Sequence, residues 1–454
     1  MTPKVLIVGA GPAGATAART LARAGVTVRL LDRSNFPRNK PCGGGISFRV
    51  LKRFPEIERD LGRIATHTVS RLYLEGPDGD STVIESNEPA ALMIRRVEFD
   101  QLLVTLAVEA GAELVSGADI VQASMDETCV VLVARDGRRF EASIVIAADG
   151  VNSTIARRLG FSQGWPADAV ALDMMEETPR TILRDVDPST LWVAYGFDPT
   201  GGHTGPEGGH TGPPLRGRNG AGRRRDPARS PRVHEGYAYI FPKRDHVNIG
   251  IGYVLAHYRE SIDAPPYELQ RGFVDHLKSR GIVEGESVRQ NFTPFHIPVG
   301  GPLRRPGRGR VLLAGDAGGF VNGFTAEGIY YAMVSGDLAA RAVLEAPGSV
   351  ATLADRYARA CDDEMGAELR DSVLIQRYLF GDRGRIARVI AGARRAPAMT
   401  RLILDFAVGR LSYYGLRRRL LTRSPLLAGR LILERFRELA ASTRTRTRIL
   451  RADA

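Results

Sequence analysis

The spacing of apolar and polar residues predicts an alternating arrangement of strands and helices at the start of the chain. Lys4–Val8 is a short apolar run, Pro12–Ala24 is alanine-rich, and Val26–Leu31 is apolar and β-branched. This order predicts a strand, a glycine turn, a helix and a second strand. The same criteria predict further elements, namely a helix and strand within 96–118, strands at Asp119–Ala123, Cys129–Ala134, Ser143–Ala148 and Arg310–Ala314, and a helix over Thr325–Ala342.

From about residue 165 to 300 the pattern changes to strands with alternating aromatic residues. Leu191–Phe197, Gly236–Phe241 and Val247–Val254 predict a meander in a separate sheet. Within 199–233 a Gly-Gly-His-Thr-Gly-Pro unit occurs twice and apolar residues are nearly absent, so we expect a disordered loop. Its histidines and arginines leave metal or nucleic-acid binding open, beside a repeat expansion without a role. Residues 350–440 have helical spacing, with arginines between the apolar positions.

The first turn carries a dinucleotide-binding pattern. Gly9 permits a tight turn, Gly11 lets a pyrophosphate approach the backbone, and Gly14 lets the helix pack on the strand. The helix N-terminus supplies free N–H groups and partial positive charge. Asp32 follows the second strand at the spacing of an acceptor for a ribose diol. A structural turn is the alternative.

Two later segments bear on which dinucleotide binds. Ser143–Ala148 leads into Asp149-Gly150, and Val311–Ala314 leads into Gly315-Asp316 and a helix. Asp316 at a strand end is placed to bind a ribityl chain, and the next helix N-terminus to face a flavin pyrimidine. An ordinary strand–helix turn is the alternative for this segment.

Together these motifs resemble the p-hydroxybenzoate-hydroxylase-like flavoproteins over roughly residues 3–345, which implies FAD as the cofactor. The resemblance also suggests Arg96 as a flavin-side contact, Ile120 as a backbone contact to adenine, and Gly328-Ile329 under the flavin ring. A surface helix is the alternative for Arg96. The full set of expected cofactor contacts is Gly9, Gly11, Ala13, Gly14, Asp32, Arg33, Cys42, Gly43, Arg96, Ile120, Asp149, Gly150, Gly315, Asp316, Gly328 and Ile329.

Two segments resemble the geranylgeranyl reductase family more narrowly. One is the run from Asp32 through Pro41-Cys42-Gly43-Gly44-Gly45 to Ile46, and the other is Gly236–Lys243 followed by Asn248-Ile249-Gly250-Ile251-Gly252. Tyr239 stands where that family usually has tryptophan, and Gly323 and Ala326 replace its usual proline and glycine. The resemblance implies reduction of isolated C=C bonds in an isoprenoid chain on a lipid, diphosphate or quinone.

The expected substrate pocket is lined by Tyr237, Tyr239 and Phe241, which strand alternation places on one face. Ordinary core packing is the alternative. Cys42 is expected to donate a proton or position the chain, with Tyr237 and Tyr239 as further catalytic candidates and a structural thiol as the alternative for Cys42. His296 is expected to be a packed histidine. No metal site is predicted, and NAD(P)H or ferredoxin is expected to supply electrons, since no second glycine fingerprint occurs.

The fold class expected is α/β, with a Rossmann-like FAD-binding domain, an inserted antiparallel-sheet substrate domain and a helical C-terminal region. The domain boundaries expected are 1–164 with 300–345 for the first, 165–299 for the second, and 346–454 for the third. Residues 66–95 are placed with the first domain, with membership of the substrate sheet as the alternative. The rival functions are an aromatic monooxygenase using NAD(P)H and oxygen, a flavin-dependent halogenase, and a flavoprotein that only binds prenyl lipid.

Charge is concentrated in two appendages of the chain. The 454 residues carry a net charge of +12. Residues from Arg383 onward contribute +14 from 18 arginines and 4 acids, and 199–233 contributes +5, so the remaining body is mildly acidic. Basic segments such as Arg401–Val408 and Leu426–Leu433 favour an anionic membrane surface, with a solvated cap as the alternative. No nucleic-acid partner is expected, because no binding motif accompanies the charge.

The cysteine count and the start of the chain bear on location. Three cysteines indicate a reducing compartment. The chain enters a core strand within its first few residues, which leaves no room for a signal peptide, and no charge-free stretch is long enough to span a bilayer. The expectation is a cytoplasmic protein, peripheral at the inner face of the membrane where the basic region docks.

Overall fold

The computed structural model describes residues 5–184, 186–197, 235–345, 350–395, 400–402, 405–406 and 411–423. The predicted disordered loop at 199–233 and the basic segment Leu426–Leu433 lie outside these residues.

A six-stranded sheet holds the first predicted motif. Its order is β18 (Gly307–Arg308), β19 (Val311–Leu313), β12 (Ile144–Ala147), β1 (Val5–Val8), β2 (Val28–Leu31) and β8 (Glu113–Val115), and only the pairing of β18 with β19 is antiparallel. The strands β1, β2, β12 and β19 therefore end at one edge of the sheet. Loops after the carboxyl ends of neighbouring parallel strands are where ligands bind in such sheets.

Helices cover one face of this sheet, and two of them touch through glycine. The helices of this layer include α1 (Pro12–Arg23), α4 (Arg96–Glu109) and α8 (Ile329–Leu344). A Cβ on Gly336 of α8 would lie 2.1 Å from the Ala13 carbonyl oxygen of α1, so the two helices approach more closely than a side chain would allow. The close contact brings the N-terminus of each helix to the same edge of the sheet.

The opposite face packs against a three-stranded antiparallel sheet and a short helix. The sheet contains β9 (Ile120–Met125), β10 (Val130–Ala134) and β11 (Arg139–Ala142), and the helix is α5 (Thr154–Arg158). Ile120, the predicted adenine contact, begins β9 and buries its side chain in this layer.

A second, seven-stranded sheet contains the aromatic strands. Its order is β17 (Phe292–Pro298), β13 (Val170–Pro179), β16 (His246–Val254), β15 (Gly236–Pro242), β14 (Thr190–Tyr195), β5 (Arg71–Glu75) and β6 (Ser81–Glu85). All pairings are antiparallel except that of β14 with β5. One face packs on α7 (Pro266–Ser279), with α6 (Leu255–Ser261) beside it.

Residues 66–95 are divided between two sheets. Strands β5 and β6 belong to the seven-stranded sheet, whereas β4 (Thr66–Val69) and β7 (Ala91–Ile94) pair with each other and β7 pairs with β3 (Gly45–Ser47). The small sheet begins directly after the Cys42 run and so holds that run beside the larger sheet. The helices α2 (Arg49–Arg53) and α3 (Pro55–Asp60) follow β3.

The remaining described elements are helical. They are α9 (Leu353–Cys361), a π-helical turn at Asp362–Gly366, α10 (Ala367–Phe380), α11 (Arg383–Arg395) and a last helix at Tyr413–Arg423. No helix in the described part of the chain is long and apolar enough to cross a bilayer. The predicted α/β class with a Rossmann-like layer, an antiparallel sheet and C-terminal helices is confirmed.

Candidate active site

The predicted nucleotide-binding segments meet at the carboxyl edge of the parallel strands. A Cβ on Gly9, which has φ +93°, would lie 2.2 Å from the Ala148 carbonyl oxygen after β12. A Cβ on Gly14 would lie 1.8 Å from the Gly9 carbonyl oxygen. Gly315, at the end of β19, lies beside Ala13 of α1, with 3.1 Å between the Ala13 Cβ and an added Cβ. The glycines therefore permit contacts within the protein as well as approach of a ligand.

Asp32 is held in place by the backbone. The Ala10 N–H donates to its Oδ2 at 2.7 Å, and the Ser34 N–H donates to its Oδ1 at 2.8 Å. Arg38 lies 3.8 Å from the same carboxylate. The carboxylate is buried at the end of β2, whereas its neighbour Arg33 is exposed. Asp32 thus presents fixed lone pairs beside the N-terminus of α1.

Three features of this edge fit a dinucleotide. The helix α1 begins without a side-chain cap and has no acidic residue in its first turn, and α8 also begins uncapped. Uncapped helix N-termini are anion-binding groups. Asp149 Oδ1 is buried with no hydrogen-bond partner among the described residues, although the Ile155 N–H donates to its Oδ2 at 3.2 Å. Burial raises the pKa of Asp149.

The flavin-side segment Asp316 to Ile329 turns back on itself. A Cβ on Gly328, directly before α8, would lie 3.6 Å from Asp316 Oδ1. Ala326 adopts φ +56°, a conformation that favours glycine. The predicted helix over Thr325–Ala342 therefore begins only at Ile329, because the left-handed residue interrupts it.

Arg96 lies in the interior and not on a surface helix, so that alternative is wrong. It is 9% exposed at the start of α4 and donates two hydrogen bonds to Asp100, at 2.7 and 2.8 Å. Burial lowers the pKa of Arg96, but the charge and hydrogen bonds of Asp100 and the proximity of Cys42 outweigh it and raise the pKa overall. A buried cation therefore stands next to Cys42.

The Cys42 run lies against the aromatic strand β15. A Cβ on Gly43 would lie 2.6 Å from Phe241 Cδ2. The Asn248 Nδ2 of β16 donates to the Cys42 carbonyl at 3.2 Å, and the Gly44 N–H points to the Cys42 Sγ at 3.4 Å. The structure thus brings together two segments that are about two hundred residues apart in the chain.

Beyond this contact lies a cavity of about 290 Å³. It is bordered by the Cys42 run, the turn before α8, the aromatic strand and the end of α10. The residues that line it include Cys42, Gly43, Asp173, Tyr237, Tyr239, Phe241, Phe324, Glu327, Gly328, Ile329 and Phe380. The predicted flavin-ring and substrate residues therefore line one space.

The three predicted rings lie on the cavity face of β15, while Ala238 and Ile240 pack in the core on the other face. The Tyr239 and Phe241 ring centroids are 4.6 Å apart. The Tyr237 hydroxyl donates to the Thr325 carbonyl at 2.7 Å. Burial raises the pKa of Tyr237 and Tyr239 well above that of a free phenol, so both stay neutral across the physiological range.

Sequence reasoning missed an acid on the floor of this cavity. Asp173 on β13 is 6% exposed and accepts a hydrogen bond from the Tyr239 hydroxyl at 2.9 Å. Burial raises its pKa to about 7. The signal was present in the sequence, because an aspartate in the apolar strand Val170–Met175 is unusual without a role or a partner.

Two lysines lie near the same region, Lys243 buried and Lys40 half-buried. Lys243 donates to Glu177 at 2.9 Å and contacts Asn248. Lys40 lies with its Nζ 5.0 Å from the centre of the Phe295 ring. Burial lowers the pKa of both lysines. His296 has its backbone paired with Leu172 on β13, next to the residue pair that contains Asp173.

Comparisons with known proteins agree with this geometry. Residues 2–227 match the family model described as an FAD binding domain. Digeranylgeranylglycerophospholipid reductase 1 of Methanopyrus kandleri is 31% identical over 81% of this chain and 87% of its own length. The menaquinone reductase of Mycobacterium tuberculosis is 30% identical over 78% of this chain and 80% of its own.

A solved structure shares the fold. It is a geranylgeranyl bacteriochlorophyll reductase-like protein from Thermoplasma acidophilum, with a TM-score of 0.71, 19% identity, and coverage of 95% of this chain and 98% of that one. The predicted cofactor FAD and the predicted enzyme class are confirmed. This chain belongs to the geranylgeranyl reductase family of FAD-dependent oxidoreductases.

Proposed function

We propose that this enzyme hydrogenates isolated C=C bonds in the isoprenoid chain of a lipid, a diphosphate or a quinone. The observation that carries the proposal is that the Cys42 run, the flavin-side turn Gly328-Ile329 and the aromatic rings of β15 line the same cavity. The relatives named above as acting on digeranylgeranylglycerophospholipid and on menaquinone support this substrate class.

The lining suits a long apolar chain. Tyr237, Tyr239 and Phe241 form one wall, and Phe324 and Phe380, whose ring centroids are 5.6 Å apart, form part of another. Flat apolar surfaces of this kind bury alkene and methyl groups without offering them a polar partner. Exclusion of water and placement of the alkene then supply much of the rate acceleration, since an isolated alkene has no carbonyl to polarise.

FAD, once reduced and bound, supplies the hydride. In this proposal FAD would be held by Gly9, Gly11, Ala13 and Gly14 at the α1 terminus, by Asp32 at the ribose, and by Asp149-Gly150 and Gly315-Asp316 at the remaining strand ends. Arg33, Cys42, Gly43, Arg96, Ile120, Gly328 and Ile329 are the further proposed contacts. In this proposal Cys42 positions the chain or donates a proton at the head of the cavity.

The electron source is proposed to be NAD(P)H or ferredoxin. The chain has no second glycine fingerprint for a nicotinamide dinucleotide. Either reductant would therefore have to bind transiently, because the sequence offers it no second dinucleotide-binding fingerprint.

We also propose that the arginine-rich region docks on an anionic membrane through charge. In α11 the apolar residues Ile386 and Ile390 are buried against Tyr237 and Phe380, whereas Arg388 and Arg395 are exposed. The buried apolar residues of this helix are therefore already covered, and its outer face carries arginines together with the exposed Val389. Such a face is attracted to anionic headgroups without inserting into the acyl layer.

An anaerobic turnover experiment tests the reaction. The purified enzyme is reduced with dithionite, and geranylgeranyl diphosphate or menaquinone is added without oxygen. We expect flavin reoxidation together with a gain of two hydrogen atoms per double bond in the recovered isoprenoid. Reoxidation that requires oxygen and adds an oxygen atom to an aromatic substrate would instead establish the monooxygenase.

A vesicle experiment tests the membrane surface. Arg388→Glu combined with Arg395→Glu is compared with Arg304→Glu combined with Arg305→Glu, two exposed arginines outside α11. At about 1 kcal/mol per arginine near an anionic surface, the first pair should weaken binding to phosphatidylserine vesicles by about tenfold or more. Equal loss in both pairs would show a nonspecific charge effect and remove the docking assignment.

A further inference from the structure

The floor of the cavity contains a carboxyl group that the reaction described so far does not use. Asp173 lines the cavity from β13, and neither neighbouring strand gives it an opposite charge. On β16 it is paired with Gly252, and on β17 it is paired with Phe295. Its Oδ1 is buried and has no hydrogen-bond partner among the described residues. A carboxyl in such surroundings binds a proton more readily than one in water.

Glycines on β16 make room for Asp173 and Tyr239 to meet. A Cβ on Gly250 would lie 2.5 Å from the Tyr239 hydroxyl oxygen, and a Cβ on Gly252 would lie 3.3 Å from Asp173 Oδ1. The Tyr239 ring therefore lies across β16, with its hydroxyl reaching Asp173 Oδ2 at 2.9 Å. This contact explains the Gly250-Ile251-Gly252 sequence, because any side chain at position 250 would separate Tyr239 from Asp173.

We propose that Asp173 is the proton reservoir of the reductase and that the Tyr239 hydroxyl passes its proton to the alkene. The proposal rests on the function proposed above. The π bond of the alkene breaks, one carbon gains the hydride from reduced flavin, and the other gains the proton of the Tyr239 hydroxyl. In the protonated form the Asp173 carboxyl donates along the same 2.9 Å contact, so Tyr239 takes the Asp173 proton in the same step, and the Asp173 carboxylate left behind is protonated again from water.

The surroundings of Tyr239 suit a proton donor, and those of Asp173 suit the group that stores the proton. Tyr239 alone is a weak acid, since burial raises its pKa, so a phenol without a proton source behind it would leave a costly buried phenolate. Asp173 holds its proton near neutrality, with a pKa of about 7 caused by burial. The ionisable groups facing Asp173 are Tyr237 and Tyr239 on β15 and Lys40 on the loop after β2.

Cys42 is less suited to store this proton. Its sulfur is contacted by two hydrogen-bond donors, the Gly44 N–H and the Arg96 guanidinium. A sulfur so placed is an acceptor in the site. We assign Cys42 to positioning of the chain, beside the Tyr237 and Tyr239 rings.

Glu327 is another carboxyl that lines the cavity, half-buried as a residue but with its Oε1 buried. Its Oε1 has no hydrogen-bond partner among the described residues, and burial raises its pKa. It interacts with Ser47 and the charge of Arg49, and no tyrosine hydroxyl is bonded to it in the part of the chain that the structure describes. It therefore serves as the rival that an experiment has to separate from Asp173.

The first measurement needs no substrate. Infrared spectra of wild-type holoenzyme, Asp173→Asn and Glu176→Gln are recorded from pH 5 to 9. Glu176 is the matched control, since it is a buried carboxyl on the same strand that accepts from the Val288 N–H at 2.9 Å and lies away from the cavity. We expect a protonated-carboxyl band that disappears with a midpoint near pH 7 in wild type and in Glu176→Gln, and is missing from Asp173→Asn.

The second measurement follows single turnover of dithionite-reduced enzyme with the isoprenoid. Asp173→Asn and Tyr239→Phe should slow reduction by about 100-fold or more, the usual contribution of a general acid, and Asp173→Asn should abolish the fall in rate above pH 7. Glu176→Gln should keep that pH profile. Isoprenoid affinity should stay within a few-fold in Asp173→Asn.

Three results would overturn the assignment. An Asp173→Asn enzyme that turns over at the wild-type rate removes Asp173, and a pH profile that survives in Asp173→Asn but is lost in Glu327→Gln transfers the role to Glu327. If wild type reduces no isoprenoid at all, the proposed function fails, and the assignment of Asp173 falls with it. The infrared band separates the two failures, because it reports the Asp173 carboxyl without turnover: a band near pH 7 without isoprenoid reduction contradicts the proposed reaction, whereas a missing band in wild type contradicts the protonated Asp173.

Discussion

The three consecutive glycines after Cys42 should respond very differently to the same added methyl group. In Gly43→Ala the new Cβ would lie 2.6 Å from Phe241 Cδ2 and 2.9 Å from Cε2. The Phe241 ring would have to move into the cavity or against Tyr239, whose centroid is 4.6 Å away. Overpacking of this kind costs about 1–3 kcal/mol.

Gly44→Ala should cost more and Gly45→Ala almost nothing. Gly44 has φ +72°, and its Cβ would lie 2.1 Å from the Ile94 carbonyl oxygen, a backbone atom. The left-handed conformation alone costs about 1–2 kcal/mol, so the total should exceed about 3 kcal/mol. A Cβ on Gly45 would meet only the Met93 side chain at 3.7 Å, an ordinary contact. Gly45→Ala should therefore be neutral, or stabilising by up to about 1 kcal/mol through the unfolded chain.

Urea unfolding of the three holoenzyme variants, followed by far-ultraviolet circular dichroism, measures this order. Isoprenoid binding to each variant adds a second readout, because displacement of Phe241 narrows the cavity and displacement of Met93 does not. Equal losses in all three variants would refute the reasoning, and so would Gly45→Ala as the least stable. Either result would mean that the run does not lie against β15 and β7 as described.

Three further predictions concern buried charge and strain. Arg96→Met should destabilise the fold by up to about 3–5 kcal/mol because the buried Asp100 loses its bidentate partner and is left with Arg38, 3.2 Å away, and Arg96→Met with Asp100→Leu should recover part of that loss in the same unfolding assay. Ala326→Gly should raise the free energy of unfolding by about 0.5–1 kcal/mol, since relief of the left-handed alanine exceeds the entropy that glycine adds to the unfolded chain; a loss of stability would show that Ala326 is unstrained. Because the pKa of Asp173 is raised from 3.8 to about 7, the folded state favours the protonated form, and its stability relative to Asp173→Asn should fall by up to about 4 kcal/mol as pH rises from 4 to 7. A pH-independent difference between these two proteins in urea titrations would contradict the raised pKa.

Much of the cofactor layer could be predicted from local sequence. Strand, glycine turn and helix occur within thirty residues at the start of the chain, and Asp32 follows at a fixed spacing, so one segment carries most of the information. The turn before α8 was predicted less well. The apolar pattern does not show that Ala326 adopts a positive φ and so predicts a helix that starts four residues too early; the only signal is the glycine usual at this position in the family that the segment resembles.

The substrate side could be predicted only in part. Alternation along β15 places its three rings on one face, which needs no tertiary information. The partner of Tyr239 lies 66 residues earlier, on β13, and the two are joined only because β16 pairs between their strands. A single sequence does not show which strands pair with one another or in what register. The buried aspartate was visible as an anomaly, but its partner was not.

The glycine run also shows that a sequence motif can have more than one physical cause. Three glycines beside a cofactor suggest room for the ligand, yet Gly43 is required by Phe241 and Gly44 by the Ile94 carbonyl. Both constraints hold the Cys42 segment against β15 and β7. The motif thus sets how closely the Cys42 segment approaches the aromatic rings of β15. The space left for a ligand beside this segment depends on that approach.

The charged groups round the cavity differ between the Cys42 run and the sheet. Arg96 and Lys243 lie near the Cys42 run, the sheet presents the phenol of Tyr239 and the carboxyl of Asp173, and Lys40 interacts with both Cys42 and Asp173. Hydrogenation of an alkene needs a hydride and a proton at the two ends of one bond. Both additions have to reach the same double bond, so the proton has to come from a group that touches the cavity. Asp173 is joined to the cavity through the Tyr239 hydroxyl, and for this reason the rings of β15 and the acid beneath them act as a unit in the proposed reaction.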